Sequence, residues 1–150
     1  MALYLYNKRE AKKGSEKRMK KVDHIGIAVR DLNAVLPYYT DTLGLPLMKI
    51  EEVESQKVRV AFIDAGNVKL ELLEAMDDQS AIYKFLEKKG EGIHHIAFGV
   101  ENIEQRMEEL RDKGIRLLSD KPNPGAGGAM VAFLHPKSSN GVLYELCEKE

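Results

Sequence analysis

The chain has 150 residues, 43% hydrophobic and 31% charged, which places it among ordinary soluble globular domains long enough for one core. No run approaches the roughly 20 apolar residues that cross a bilayer, and no apolar signal core follows the basic N-terminal residues, so a cytoplasmic protein without a membrane role is expected. Cys147 stands alone, so no internal disulfide can form, in keeping with a reducing compartment.

The net charge of −1 hides an uneven spread. Residues 1–20 carry seven Lys/Arg against two Glu, and the remainder is acidic. This reads as a basic N-terminal extension over 1–20, followed by a single domain over 21–150. No nucleic-acid partner is expected, because nothing downstream is basic enough to support a binding arm.

Residues 22–30 alternate β-branched and small side chains and predict a strand, with Asp31 as the N-cap of a helix over Leu32–Thr42. Pro37 should bend that helix, because it removes a backbone donor, and Gly44 lies just past its end. Strands at about 46–53, 57–64 and 67–74 follow, the last two joined by the turn signal Ala65-Gly66-Asn67. Residues 77–90 predict a connecting helix with Ile82, Phe85 and Leu86 as its buried stripe. The order then repeats. A strand at 93–100 precedes Asn102, an N-cap with Gln105 three residues on, and a helix carrying Ile103, Met107 and Leu110 ends at Gly114. Further strands are expected at about 115–118, 129–135 and 141–148.

Two βαβββ repeats, about 21–75 and 92–148, are thus joined by a helical linker. The expected fold is α+β, with the two modules forming a curved mixed sheet around a cleft. His24 and His95 are 71 residues apart, and Glu71 and Glu145 are 74 apart. Two imidazoles and two carboxylates at equivalent places in duplicated halves point to a metal site on a pseudo-two-fold axis. Strict alternation turns Asp23, Ile25 and Ile27 one way and His24, Gly26 and Ala28 the other. Gly26, Ala28 and Ala97 then leave open space above the imidazoles. His94 is expected on the strand face opposite His95 in a structural role, as is His135. Glu74 and Glu148 are expected to be solvated. Gly125-Ala126-Gly127-Gly128 offers backbone amides for a phosphate or thioester arm, or is simply a mobile loop.

The stretches Val22-Asp23-His24-Ile25-Gly26-Ile27-Ala28-Val29, Gly92-Ile93-His94-His95-Ile96-Ala97-Phe98 and Phe133-Leu134-His135-Pro136-Lys137-Ser138-Ser139-Asn140-Gly141-Val142-Leu143-Tyr144-Glu145-Leu146 resemble the vicinal oxygen chelate superfamily, of glyoxalase/bleomycin-resistance/dioxygenase fold. Within it, the methylmalonyl-CoA epimerase family is the most similar, chiefly through His-Pro-Lys-Ser followed by Gly-Val-Leu and Glu145. The resemblance implies a divalent metal, Co, Zn, Mn or Ni, held by His24, Glu71, His95 and Glu145. It implies an acyl-CoA substrate, a homodimer, and interconversion of the 2R and 2S forms of methylmalonyl-CoA by alpha-proton transfer through a metal-stabilised enolate. Glu145 is the candidate base and Glu54 the second, since either metal carboxylate could loosen and Glu54 stands beside the position where relatives carry a glutamate. Lys121 and Lys137 are candidates for the nucleotide end of a CoA ester. A glyoxalase I-like lactoylglutathione lyase and a non-catalytic drug-binding module of the same fold are the alternatives.

Overall fold

The computed structural model describes residues 19–149, so the basic extension expected over 1–20 lies outside the described residues except for Met19 and Lys20. Eight strands form one curled mixed sheet in the order β2-β3-β4-β1-β5-β8-β7-β6. They are β1 (Lys21–Ala28), β2 (Leu47–Val53), β3 (Val58–Asp64), β4 (Lys69–Ala75), β5 (Gly92–Gly99), β6 (Asn123–Pro124), β7 (Met130–Leu134) and β8 (Tyr144–Glu148). The helices are α1 (Leu32–Pro37), the linker α2 (Ala81–Lys89) and α3 (Ile103–Asp112). Each first strand pairs in parallel with the last strand of its own repeat, β1 with β4 and β5 with β8. The two repeats meet at the antiparallel β1–β5 seam, where the pseudo-two-fold axis passes.

Local chemistry accounts for the element ends. The Asp31 side chain accepts from the Ala34 amide at the start of α1. Pro37 ends the regular α-helix, and the chain continues through a π-turn over Tyr38–Thr42, which absorbs the missing donor. The Asn102 side-chain carbonyl accepts from the Gln105 amide, and its side-chain NH2 donates to the Gln105 side-chain carbonyl, so the expected pair caps the helix through the two side chains. Gly44 and Gly114 follow their helices at φ 69° and 84°, a region glycine enters without a Cβ penalty.

Alternate residues of the strands face opposite layers. Leu72 of β4 packs with Val29, Leu32, Ala61 and Ile63 under α1, while its neighbour Leu73 packs with Val58, Val60, Phe62 and the α2 residues Ile82 and Leu86. In the second repeat Leu146 packs with Ala132, Leu134, Ile103 and Met107 under α3. The helices α1 and α3 thereby cover the convex face, and the concave face is left for a cleft. Two carboxylates tie this layer down. Glu74 accepts from the Leu32 amide at 2.6 Å, and Glu148 accepts from the Ile103 amide at 3.1 Å. They do not stand solvated, as their spacing from the site glutamates had suggested; each satisfies a free amide at the start of its own repeat's helix.

Two expectations fail in the strands. Residues 115–118 contribute only a bridge between Leu117 and Leu134, and β6 is two residues long. Pro122 and Pro124 remove two ladder donors there. Alternation also breaks along β1 and β5. Val22 pairs with Phe98 and His24 with Ala97, so Asp23 is skipped; Gly26 pairs with His95 and Ile27 with Ile93, so His94 is skipped. Each skipped residue forms a β-bulge, which turns it toward the same face as the histidine that follows.

Met107 is 1% exposed beneath the second repeat. Met107→Ala is therefore expected to cost about 2–5 kcal/mol in urea unfolding while leaving the concave face unchanged.

Candidate metal centre and active site

The concave face holds a cleft of about 370 Å³ whose floor is the β1–β5 seam. His24 comes from β1, His95 from β5, Glu71 from β4 and Glu145 from β8, and all four are less than 7% exposed. The register explains their meeting: Gly26 lies between Glu71 on one side and His95 on the other, and Ala97 lies between His24 and Glu145. Small residues at these two equivalent places let each imidazole lie across the neighbouring strand. A Cβ at Gly26 would stand 2.2 Å from His95 Cε1 and 2.4 Å from its Nδ1, so the ring occupies the space that a side chain would fill.

His24 Nε2 is 3.1 Å from His95 Nε2 and 3.2 Å from Glu145 Oε2, and His95 Nε2 is 2.7 Å from the same oxygen. Ligand atoms about 2.1 Å from one ion and at right angles to each other are about 3.0 Å apart, so this triangle fits three adjacent positions of an octahedral divalent cation. Imidazole and carboxylate donors without a thiolate suit a catalytic ion with open positions better than a closed structural zinc site. Glu71 lines the same cleft, but its Oε2 rests 2.7 Å from His24 Nδ1, on the other edge of the ring. Three of the four expected ligands thus converge directly, and the fourth lies one imidazole width away.

The electrostatics follow from burying so many charges together. Burial alone would depress the pKa of His24, but the carboxylates of Asp23, Glu145 and Glu71 overcome it and raise the pKa to about 11. Burial opposes ionisation of Glu145, yet hydrogen bonds from His24 and His95 bring it down to about 2. Burial, reinforced by the neighbouring His95, lowers His94 to about 4 and keeps it neutral. Burial next to Glu145 and Asp23 pushes the Cys147 thiol up to about 12.

His94 departs from its expected place. The bulge brings it into the cleft lining, with Nδ1 2.9 Å from His95 Nδ1 and its ring edge-on to Phe85. Asp23, expected on the opposite face, sits 2.8 Å from His24 Nδ1. The signal that could have revealed both was their equivalence: they stand 71 residues apart, and each is a polar residue that strict alternation would press against the apolar convex layer. Glu54 is exposed and paired with Lys57, while its neighbours Ser55 and Gln56 line the cleft. His135 accepts from the Lys137 amide and caps a short turn, a structural role. Lys121 and Lys137 do not line the cleft. The Gly125–Gly128 loop reaches across to the opposite sheet edge: the Gly127 amide donates to Glu51 and Ser55 Oγ donates to the Pro124 carbonyl. These contacts join the two edges of the sheet across the cleft.

Residues 23–133 match the Glyoxalase/Bleomycin resistance protein/Dioxygenase superfamily, and the chain belongs to it. Its close relatives include methylmalonyl-CoA epimerases. The ethylmalonyl-CoA/methylmalonyl-CoA epimerase of Cereibacter sphaeroides is 42% identical over 84% of this chain and 96% of that protein. A structure of Streptomyces coelicolor methylmalonyl-CoA epimerase in complex with 2-nitronate-propionyl-CoA aligns with a TM-score of 0.83 and 42% identity, over 88% of this chain and 96% of that one. The uncharacterized protein YqjC of Bacillus subtilis is 46% identical over 87% of this chain and 93% of its own length.

Two outcomes are expected. Gly26→Ala should displace the His95 ring and weaken divalent-cation binding at least about tenfold in a chelator competition; wild-type affinity would show that His95 does not need this position. For chelator-treated protein, the stability contributed by His24 is complete below 6.5 and lost as pH rises toward about 11. The contribution of Glu145 is complete above 4.5 and lost as pH falls toward about 2. Unfolding midpoints should accordingly be highest between these limits, and His24→Gln should flatten the alkaline limb.

Proposed function

We propose that the chain is a metal-dependent epimerase that interconverts the 2R and 2S forms of methylmalonyl-CoA. The observation that carries this reading is the convergence of His24 Nε2, His95 Nε2 and Glu145 Oε2 at the cleft floor, in a chain about two-fifths identical to proteins named for that activity. A divalent cation of the Co, Zn, Mn or Ni kind, bound by His24, Glu71, His95 and Glu145, supplies Lewis-acid neutralisation of the charge that develops on the thioester.

The remaining roles belong to the protein's own residues. Val58, Val60, Leu73 and Phe133 wall the cleft and keep water from the acyl group. Inverting a stereocentre by proton transfer requires a base on one face and an acid on the other. Glu145 serves one face from the floor. Glu54 is the candidate for the other: it stands outside the cleft lining, next to Ser55 and Gln56, and would have to leave Lys57 and turn inward to act. The lactoylglutathione lyase and drug-binding alternatives have less support: the named relatives point to CoA esters, and a drug-binding cleft has no need of converging ligands. The reading also takes residues 21–150 as one domain behind a basic extension, and the protein as a cytoplasmic homodimer.

Metal-loaded protein should exchange the alpha proton of methylmalonyl-CoA with deuterium from solvent, read by mass spectrometry, and the absence of exchange would reject the epimerase. Glu54→Gln should lower the epimerisation rate by about 100- to 10,000-fold with cation affinity unchanged. A full rate in that variant removes Glu54 from the mechanism.

A further inference from the structure

We propose that Asp23 is the positioning residue of His24: its carboxylate accepts the Nδ1–H of the imidazole and thereby commits Nε2 to the point shared with His95 and Glu145. This deepens the epimerase reading and rests on the cation site within it.

Four observations support the assignment. The bulge at Asp23 rotates its side chain onto the His24 face, where it is 8% exposed and its Oδ2 lies 2.8 Å from Nδ1. The carboxylate is itself held from behind. Lys149 Nζ donates to Oδ1 at 3.2 Å and to Oδ2 at 3.0 Å, and Lys69 Nζ is 3.7 Å away. Glu71, the rival acceptor at the same nitrogen, has no other ion pair among the described residues, so it is the carboxylate able to leave for the cation while Asp23 stays. The second repeat contains the same device: the bulged residue His94 places its Nδ1 2.9 Å from His95 Nδ1, where it can accept the N–H of that ring edge. Both imidazoles are thus held on the Nδ1 edge by the residue that precedes them, and both present Nε2 inward. Outer-shell acceptors of this kind fix the tautomer and raise the basicity of a ligating histidine.

Asp23, His24 and Cys147 also lie close enough together to resemble a second cation site. The ammonium groups of Lys149 and Lys69 already engage the carboxylate of Asp23, and His24 turns Nδ1 rather than Nε2 toward it, so this cluster serves the imidazole.

The test titrates Mn²⁺ and Co²⁺ into full-length wild-type protein, Asp23→Asn and Asp23→Ala, and follows the His24 Nδ1–H of the Zn²⁺-loaded proteins by its NMR shift and its exchange with water. Asp23→Ala is expected to lose about 10- to 100-fold in cation affinity, with the near-isosteric Asp23→Asn losing less, and both should move that proton upfield and speed its exchange. Asp23→Asn covers the case in which the alanine variant does not fold. Variants that bind within about twofold of wild type and keep the wild-type Nδ1–H shift and exchange would overturn the assignment while leaving the cation site intact. A wild-type protein that takes up none of these ions would overturn it together with the epimerase reading.

Discussion

Ionised side chains are costly to bury unless each finds an opposite charge or a hydrogen bond, and the β1–β5 seam buries Asp23, His24, Glu71, His95 and Glu145 side by side. The arrangement holds because imidazoles and carboxylates alternate through space. Glu145 stands between His24 and His95, and His24 stands between Glu145 on one ring edge and Asp23 with Glu71 on the other. Removing one member leaves an uncompensated buried charge. The small residues Gly26 and Ala97 allow this packing, and the helices on the convex side supply the apolar burial that offsets its cost.

Duplication generates the site and also diversifies it. The equivalent pairs His24 and His95, Glu71 and Glu145, and Glu74 and Glu148 keep both chemistry and place in the two repeats. The bulged positions do not: Asp23 is an ionised carboxylate held by two lysines, and His94 is a neutral imidazole packed against Phe85. The two sides of a nominally symmetric centre are therefore electrostatically different. Of the two, His94 lines the cleft itself, and Asp23 meets it through His24.

Much of this was legible in the sequence, because the repeat imposes it. The spacing of His24 from His95 and of Glu71 from Glu145 gave the four residues that surround the cleft floor, and the alternation in β4 and β8 gave their common face. The cap residues Asp31 and Asn102 and the break at Pro37 acted as their local chemistry dictates. The bulges were not legible from periodicity, because a pattern of two cannot show where the ladder skips a residue; only pairing across the seam reveals that Asp23 and His94 turn inward. Nor could alternation show that Glu74 and Glu148 reach the helix starts, since that depends on how α1 and α3 cross the sheet. The run at 115–118 meets β7 only at the Leu117–Leu134 bridge, and nothing in its own composition marks where that pairing stops.

His24 ties the site to pH. With its pKa raised to about 11, the ring carries a positive charge near neutrality and places an N–H where Nε2 would otherwise bind an ion. That proton lies in the middle of the triangle formed with His95 and Glu145 and neutralises the same carboxylate. Loading a divalent ion must displace it, so apparent affinity should rise with pH over the whole range below that value. Asp23, engaged by Lys149 and Lys69, stays to accept the Nδ1–H that a ring bound through Nε2 would keep, so the donor His24 would give up is the one that faces His95 and Glu145.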